Sequence, residues 1–168
     1  MSTNLILGEE VRFGQNVVTT GNVEIGDYTS IWHNVVLRGD VSRIKIGTNC
    51  NIQDNTVLHG QLNTWDVLLG DRVSIGHGCI LHGCELSNDS FVGMGSIIMN
   101  GAFIGSRVFV AAGSLVTQGS RFEEPETLIV GRPGKVVRKL RPEEIAIIED
   151  TPKRYIKYAQ EWLPPASS

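Results

Sequence analysis

The feature of this chain that most restricts its fold is a six-residue period. Large apolar residues recur at 13, 19, 25, 31 and 37, then at 46, 52 and 58, at 69, 75 and 81, and at 86, 92, 98, 104, 110 and 116; all but Thr19 are Phe, Ile, Leu or Val. Two residues before each stands a small or β-branched side chain, from Val11, Val17 and Val23 to Cys79, Cys84 and Ser114. A helical period of 3.6 residues cannot generate this spacing. Short parallel strands, three to a triangular coil of about 18 residues, can. The two columns then point inward and stack from coil to coil about 4.8 Å apart. Every third large residue is followed by Gly26, Gly47, Gly70, Ser87 or Gly105, so one corner is expected to turn sharply where a Cβ would clash. The same demand accounts for 19 glycines in 168 residues, against a usual share of about 7%.

Slips of phase after 37, 58 and 81 mark loops or corner adjustments, and the longest extra piece, around Gln61 to Asp66, is expected to project from the coil. From Arg141 the pattern changes: apolar residues at 145, 148, 155, 156, 159, 162 and 163 predict one helix or two short ones along the outside of the coil. Pro142 suits a first turn, Pro152 is expected to break or kink the helix, and Tyr155 and Trp162 read as packing anchors. The chain thus divides into a β-helix over 1–138 and a helical extension over 139–168.

A net charge of −3, from 15 basic and 18 acidic residues mixed along the chain, leaves no basic footprint for nucleic acid or an anionic membrane. The opening MSTNLILGEEV has no positive n-region, and no stretch approaches the roughly 18 apolar residues needed to span a bilayer. A soluble, cytoplasmic protein is the expectation. Cys50, Cys79 and Cys84 all fall in the inward small column, so they read as packed, reduced thiols.

The histidines need another account. His59 follows Leu58 and His82 follows Leu81, and those leucines are one full coil apart, so the two imidazoles stack on neighbouring rungs. Arg38, after Leu37, lies one rung to the other side of His59. His77 follows Ile75 by two residues, which puts it on another strand and around a corner, in a column with His33, Asp54 and Met94. A catalytic zinc takes three protein ligands with nitrogens about 2.0–2.1 Å away and keeps one position open. Two stacked histidines and a third from a neighbouring chain would meet that at a subunit interface. Outward-facing surface residues remain the alternative on spacing alone, and the nearness of Arg38, Asp40, Gln53 and Asp54 favours a site.

The runs RGD at 38–40, IG at 46–47, NIQD at 51–54, His59, GHGCILHGC at 76–84, VGMGS at 92–96 and VGRPGK at 130–135 together closely resemble the γ-class carbonic anhydrases. The match covers about residues 10 to 140. This resemblance implies an all-β fold, a left-handed parallel β-helix of hexapeptide repeats with a C-terminal α-helix. It also implies a homotrimer with a metal site at each interface, His59 and His82 from one subunit and His77 from the next, holding Zn²⁺ or alternatively Fe²⁺ or Co²⁺. The metal would lower the pKa of its bound water toward ~7, so that hydroxide attacks CO₂ to give bicarbonate. Arg38 matches a family residue that pairs across the interface with the Asp54 position, and Asp40 and Gln53 match positions beside the bound water and bicarbonate. Val41, Gln61 and Leu62 stand where active members carry glutamates of an outward proton relay, so slow turnover is expected; Asp66 and His33 read first as surface residues, with a substitute relay role as the alternative. Two other classes stay open: a hydrolase or transferase for acyl-CoA compounds, and a trimeric scaffold with a structural metal.

Overall fold

The computed structural model describes residues 4–166; the outermost positions of both predicted segments, 1–3 and 167–168, lie outside the described residues. Within them the chain winds about seven coils of a parallel, left-handed β-helix with three faces. One face carries the opening halves of Val18–Ile25 and Val36–Ile46, then Val57–His59, Ile80–His82, Ile97–Ile98 and Leu115–Val116. A second runs from Asn4–Leu7 through the closing halves of the two long strands to Val67–Leu69, Glu85–Leu86, Phe103–Ile104 and Arg121–Phe122. The third stacks Arg12–Phe13, Ser30–Ile31, Asn51–Ile52, Ser74–Ile75, Phe91–Val92, Phe109–Val110 and Thr127–Gly131.

The predicted columns are these registers. Leu37, Leu58, Leu81, Ile98 and Val116 lie directly over one another, as do Ile31, Ile52, Ile75, Val92 and Val110, and all are buried. The columns continue beyond residue 116, to Phe122 on one face and Ile129 on another. Polar members of the small column are satisfied by the next coil: Thr29 Oγ1 donates to Gly47 O at 2.8 Å and Thr56 Oγ1 to Gly76 O at 3.1 Å. The cysteines do the same work. Cys50 Sγ donates to Gly70 O at 3.1 Å and Cys79 Sγ to Gly93 O at 3.2 Å, and burial pushes the thiols up to about 12 at Cys50 and Cys84 and about 11 at Cys79.

The glycine corner differs from expectation in its cause. The left-handed conformation falls on Tyr28, Asn49, Arg72, Asp89 and Arg107, with φ between 56° and 60°, and not on Gly26, Gly47, Gly70, Ser87 and Gly105 two residues earlier. Gly26 and Gly47 are instead required by stacking: a Cβ on Gly26 would lie 2.7 Å from the carbonyl carbon of Gly47, and one on Gly47 would strike Gly70 in turn. The segment around Gln61 to Asp66 stands out from the coil as expected, with 61–65 exposed, and is also pinned to it. Gln61 N–H donates to Trp65 O at 2.9 Å, Asp66 accepts from the Arg43 backbone at 2.9 Å, and the Trp65 ring lies over Gly101.

An antiparallel strand, Gly134–Lys139, closes the third face. A single helix, Pro142–Trp162, then follows, continuous through Pro152. One missing backbone bond is outweighed by packing, since Ile148, Thr151, Pro152 and Ala159 are buried, and Ile148 joins Leu128, Leu140, Phe91 and Phe109. The helix covers the third face.

Candidate metal centre

The sequence-predicted site residues fall into two groups at opposite edges of the first face. At one edge Arg38, His59 and His82 occupy successive rungs, in register. His59 Nδ1 and His82 Nε2 lie 3.1 Å apart. Asp40, at the corner beyond Arg38, meets His59 Nε2 at 3.2 Å and is held by Arg38 Nε at 3.2 Å. Asn100, which sequence reasoning missed, presents its Oδ1 to His82 Nδ1 and donates from Nδ2 to Gln61 Oε1.

At the other edge the turn after Ser74–Ile75 carries His77, whose Nδ1 meets Asp54 Oδ2 at 2.8 Å one coil below. Gln53 is only 5% exposed and donates from Nε2 to Asn51 Oδ1 at 2.9 Å, while Asn51 Nδ2 donates to Ser74 Oγ at 2.8 Å. Within one chain, then, Arg38 pairs with Asp40 rather than Asp54. Tyr155 of the helix stacks edge-on against Trp32 at 5.3 Å between centroids, and burial together with the charge of Asp54 raises its phenol. Tyr155 is a packing anchor, as the sequence suggests, and it also stands near the His77 group, whereas Trp162, read as an anchor too, is 69% exposed.

Electrostatics at the first edge favour neutral imidazole. Burial and the positive charge of Arg38 push His59 down, against the opposing pull of Asp40. Burial opposes ionisation of Asp40, but the hydrogen bond and charge of Arg38, with those of His59, hold its carboxyl below the usual range.

Two nitrogens bound to one tetrahedral cation at about 2.05 Å lie about 3.3 Å apart. The His59–His82 separation of 3.1 Å is close to that. An imidazole donates from one nitrogen and accepts at the other, so with Asp40 and Asn100 as acceptors on the far sides, two lone pairs face each other. A shared proton or a cation satisfies them, and an oxygen acceptor behind each ring is the usual setting of a ligating histidine. The pair therefore fits as two donors. Among the described residues no group of three His, Cys, Asp or Glu within the chain is arranged to hold a metal ion. Of the suggested relay substitutes, Asp66 is committed to Arg43, and His33, one coil below Asp54, accepts at Nδ1 from Gln15 N–H at 2.8 Å.

A triangular coil of hexapeptide strands with polar residues at its corners defines the left-handed β-helix class of hexapeptide-repeat proteins. The solved structure of a hexapeptide transferase family protein from Anaplasma phagocytophilum superposes with a TM-score of 0.90 at 40% identity, over 96% of this chain and 94% of that one. No family model matches the chain. Among curated proteins, the chain is 41% identical over 160 residues to the mitochondrial gamma carbonic anhydrase 2 of Arabidopsis thaliana, and 44% identical over 144 residues to a carbonic anhydrase of Geobacillus kaustophilus. These matches take in 92% and 86% of the chain, 57% of the Arabidopsis protein and 78% of the Geobacillus one. The chain belongs to the γ-carbonic anhydrase family.

Proposed function

We propose that the protein is a metal-dependent carbonic anhydrase that interconverts CO₂ and bicarbonate, working as a homotrimer in the cytoplasm. His59 and His82 of one subunit hold the metal with His77 of the next. The observation that carries this is the pair of imidazole nitrogens 3.1 Å apart, each ring with an oxygen at its far side. Zn²⁺, or Fe²⁺ or Co²⁺ in its place, supplies a water acidified enough to be nucleophilic at neutral pH. The chain's own groups do the rest. Asp40 holds the His59 ring and is itself held by Arg38. Gln53, with its amide nitrogen committed to Asn51, turns its carbonyl oxygen to accept from the attacking water or from bicarbonate.

The three faces differ in a way that supports association through one of them. The third is covered by the helix, and the second mixes Ile6, Leu68 and Phe103 with Glu24, Lys45, Glu85 and Arg121 in its outward column. The first presents a column of Val18, Val36, Val57, Ile80, Ile97 and Leu115, of which Val18 and Ile80 are 48% and 43% exposed. His77, in the turn before this column, and His82, at the strand end after it, bracket the column. Packing such faces around a three-fold axis brings the His77 edge of one copy against the His59/His82 edge of the next.

Acyl transfer is less well supported, because the loop that would carry a histidine base holds none between Gln61 and Asp66. The test is metal analysis of protein purified without oxygen, followed by CO₂ hydration with zinc and with iron. Close to three ions per trimer are expected, lost in His82→Ala while the coil stays folded. A full metal load in that variant would sink the site.

A further inference from the structure

We infer that Asn100 is a positioning residue for His82, locked in place by Gln61, so that the loop over Gln61 to Asp66 sets the proton position and aim of that imidazole. The inference rests on the reading of His82 as a metal ligand and adds a residue and a loop to it. Neutral imidazole carries its proton on one nitrogen only, and a hydrogen bond at the other end decides which. Asn100 Oδ1 faces His82 Nδ1, and an amide oxygen can only accept, so the proton sits on Nδ1 and the lone pair on Nε2. That lone pair is the one directed at His59.

An asparagine side chain could turn over and offer its NH₂ instead. Here the amide nitrogen is already donated to Gln61 Oε1, which holds the oxygen toward His82. The backbone of Gln61 is in turn fixed by its loop: its N–H donates to Trp65 O at 2.9 Å and its main-chain carbonyl accepts from Trp65 N–H at 3.2 Å. The Trp65 ring is seated over Gly101, where an added Cβ would come within 3.0 Å of it. Gly83, beside His82, is likewise crowded by Trp65 Cβ, so side chains at these two corners would lift the loop. The order of support runs from loop to Gln61, to Asn100, to His82. His59 has no such dependence, because its partner Asp40 comes from its own sheet edge and is held by Arg38.

The experiment uses the full-length protein with histidine labelled in ¹⁵N. In the metal-free wild type at a pH where imidazole is neutral, the His82 resonance, assigned by its absence in His82→Gln, is expected to report the Nδ1–H tautomer. Asn100→Leu should move it to the Nε2–H tautomer and weaken Co²⁺ binding by about 10- to 100-fold. Asn100→Asp, which keeps an acceptor oxygen, should restore both, and a purely structural role would not give that rescue. Gln61→Ala should shift the tautomer and affinity in the same direction by less, and it decides the matter if Asn100→Leu does not fold. An Nε2–H tautomer in the wild type, or an Asn100→Leu protein with unchanged tautomer and affinity, overturns the inference. If the wild type takes up no Co²⁺, the metal reading of His82 fails, and the tautomer measurements alone judge Asn100.

Discussion

A mixed-subunit experiment tests whether the two edges of the first face make one site. Take a variant carrying His59→Ala and His82→Ala, and another carrying His77→Ala. Neither homotrimer can gather three imidazoles at any interface, since His59 and His82 sit on adjacent rungs of one edge and His77 in a turn at the opposite edge. In a closed three-fold ring every mixed trimer has one junction at which an intact pair faces an intact His77. Random reassembly of equal amounts makes about three-quarters of the trimers mixed, so the recovered metal should be about a quarter of the wild-type load. The core should tolerate all three substitutions, because its columns pack without these side chains and none of the three is buried. The assay is to unfold, mix, refold, isolate trimers by size and count bound metal. Folded mixed trimers with no metal would refute the shared site, as would a full load in either variant alone.

Gly47→Ala should lower stability by about 2–3 kcal/mol, because the new methyl meets the backbone of Gly70, which cannot rotate away. Gly113→Ala, in open space with φ at +70°, should cost only about 1 kcal/mol, and thermal unfolding of the two variants separates the causes. Glu144, paired with Arg138 and accepting from the Arg141 N–H, is held down at about 2. Its contribution is therefore present above its usual value of 4.5 and is lost as pH falls toward 2. With the pair partly exposed, Glu144→Gln should cost about 1 kcal/mol at neutral pH and nothing below pH about 2, as denaturant titrations at several pH values would show. CO₂ hydration should be slow at neutral pH and accelerate with imidazole buffer, since Asp66 is tied to Arg43; fast, buffer-independent turnover would mean that another group carries the proton.

The stacking of this fold is legible from sequence because each coil repeats the same inward demand. Counting Leu58 to Leu81 therefore placed His82 beside His59, and Arg38 on the next rung, as the registers have it. Counting serves less well at the corners. By register the neighbour of His82 is Met99, following Ile98, and only the turn of the chain brings the side chain of Asn100 to the ring. What holds the loop escapes counting for a related reason: it is Trp65 resting on Gly83 and Gly101, one and two coils' worth of sequence away. Pro152 was read by its local rule, whereas burial against the third face decides the outcome.

The helix has a consequence for how the coil comes apart. It begins at Pro142, just after the final strand, and the tail that follows it ends at the opposite end of the stack, where Ala166 N–H donates to Val11 O at 2.9 Å and Arg12 reaches Leu163 O at 3.0 Å. Twenty-one helical residues span about 31 Å, close to the height of seven coils at about 4.8 Å each. A solenoid held only by nearest neighbours frays from its ends, one coil at a time. Here the terminal coils are fastened to one rigid rod, so neither can leave without peeling the helix from every coil between. The clasp turns a stack of separable layers into a single melting unit, and hydrogen exchange in the outermost strands should be nearly as slow as in the middle ones.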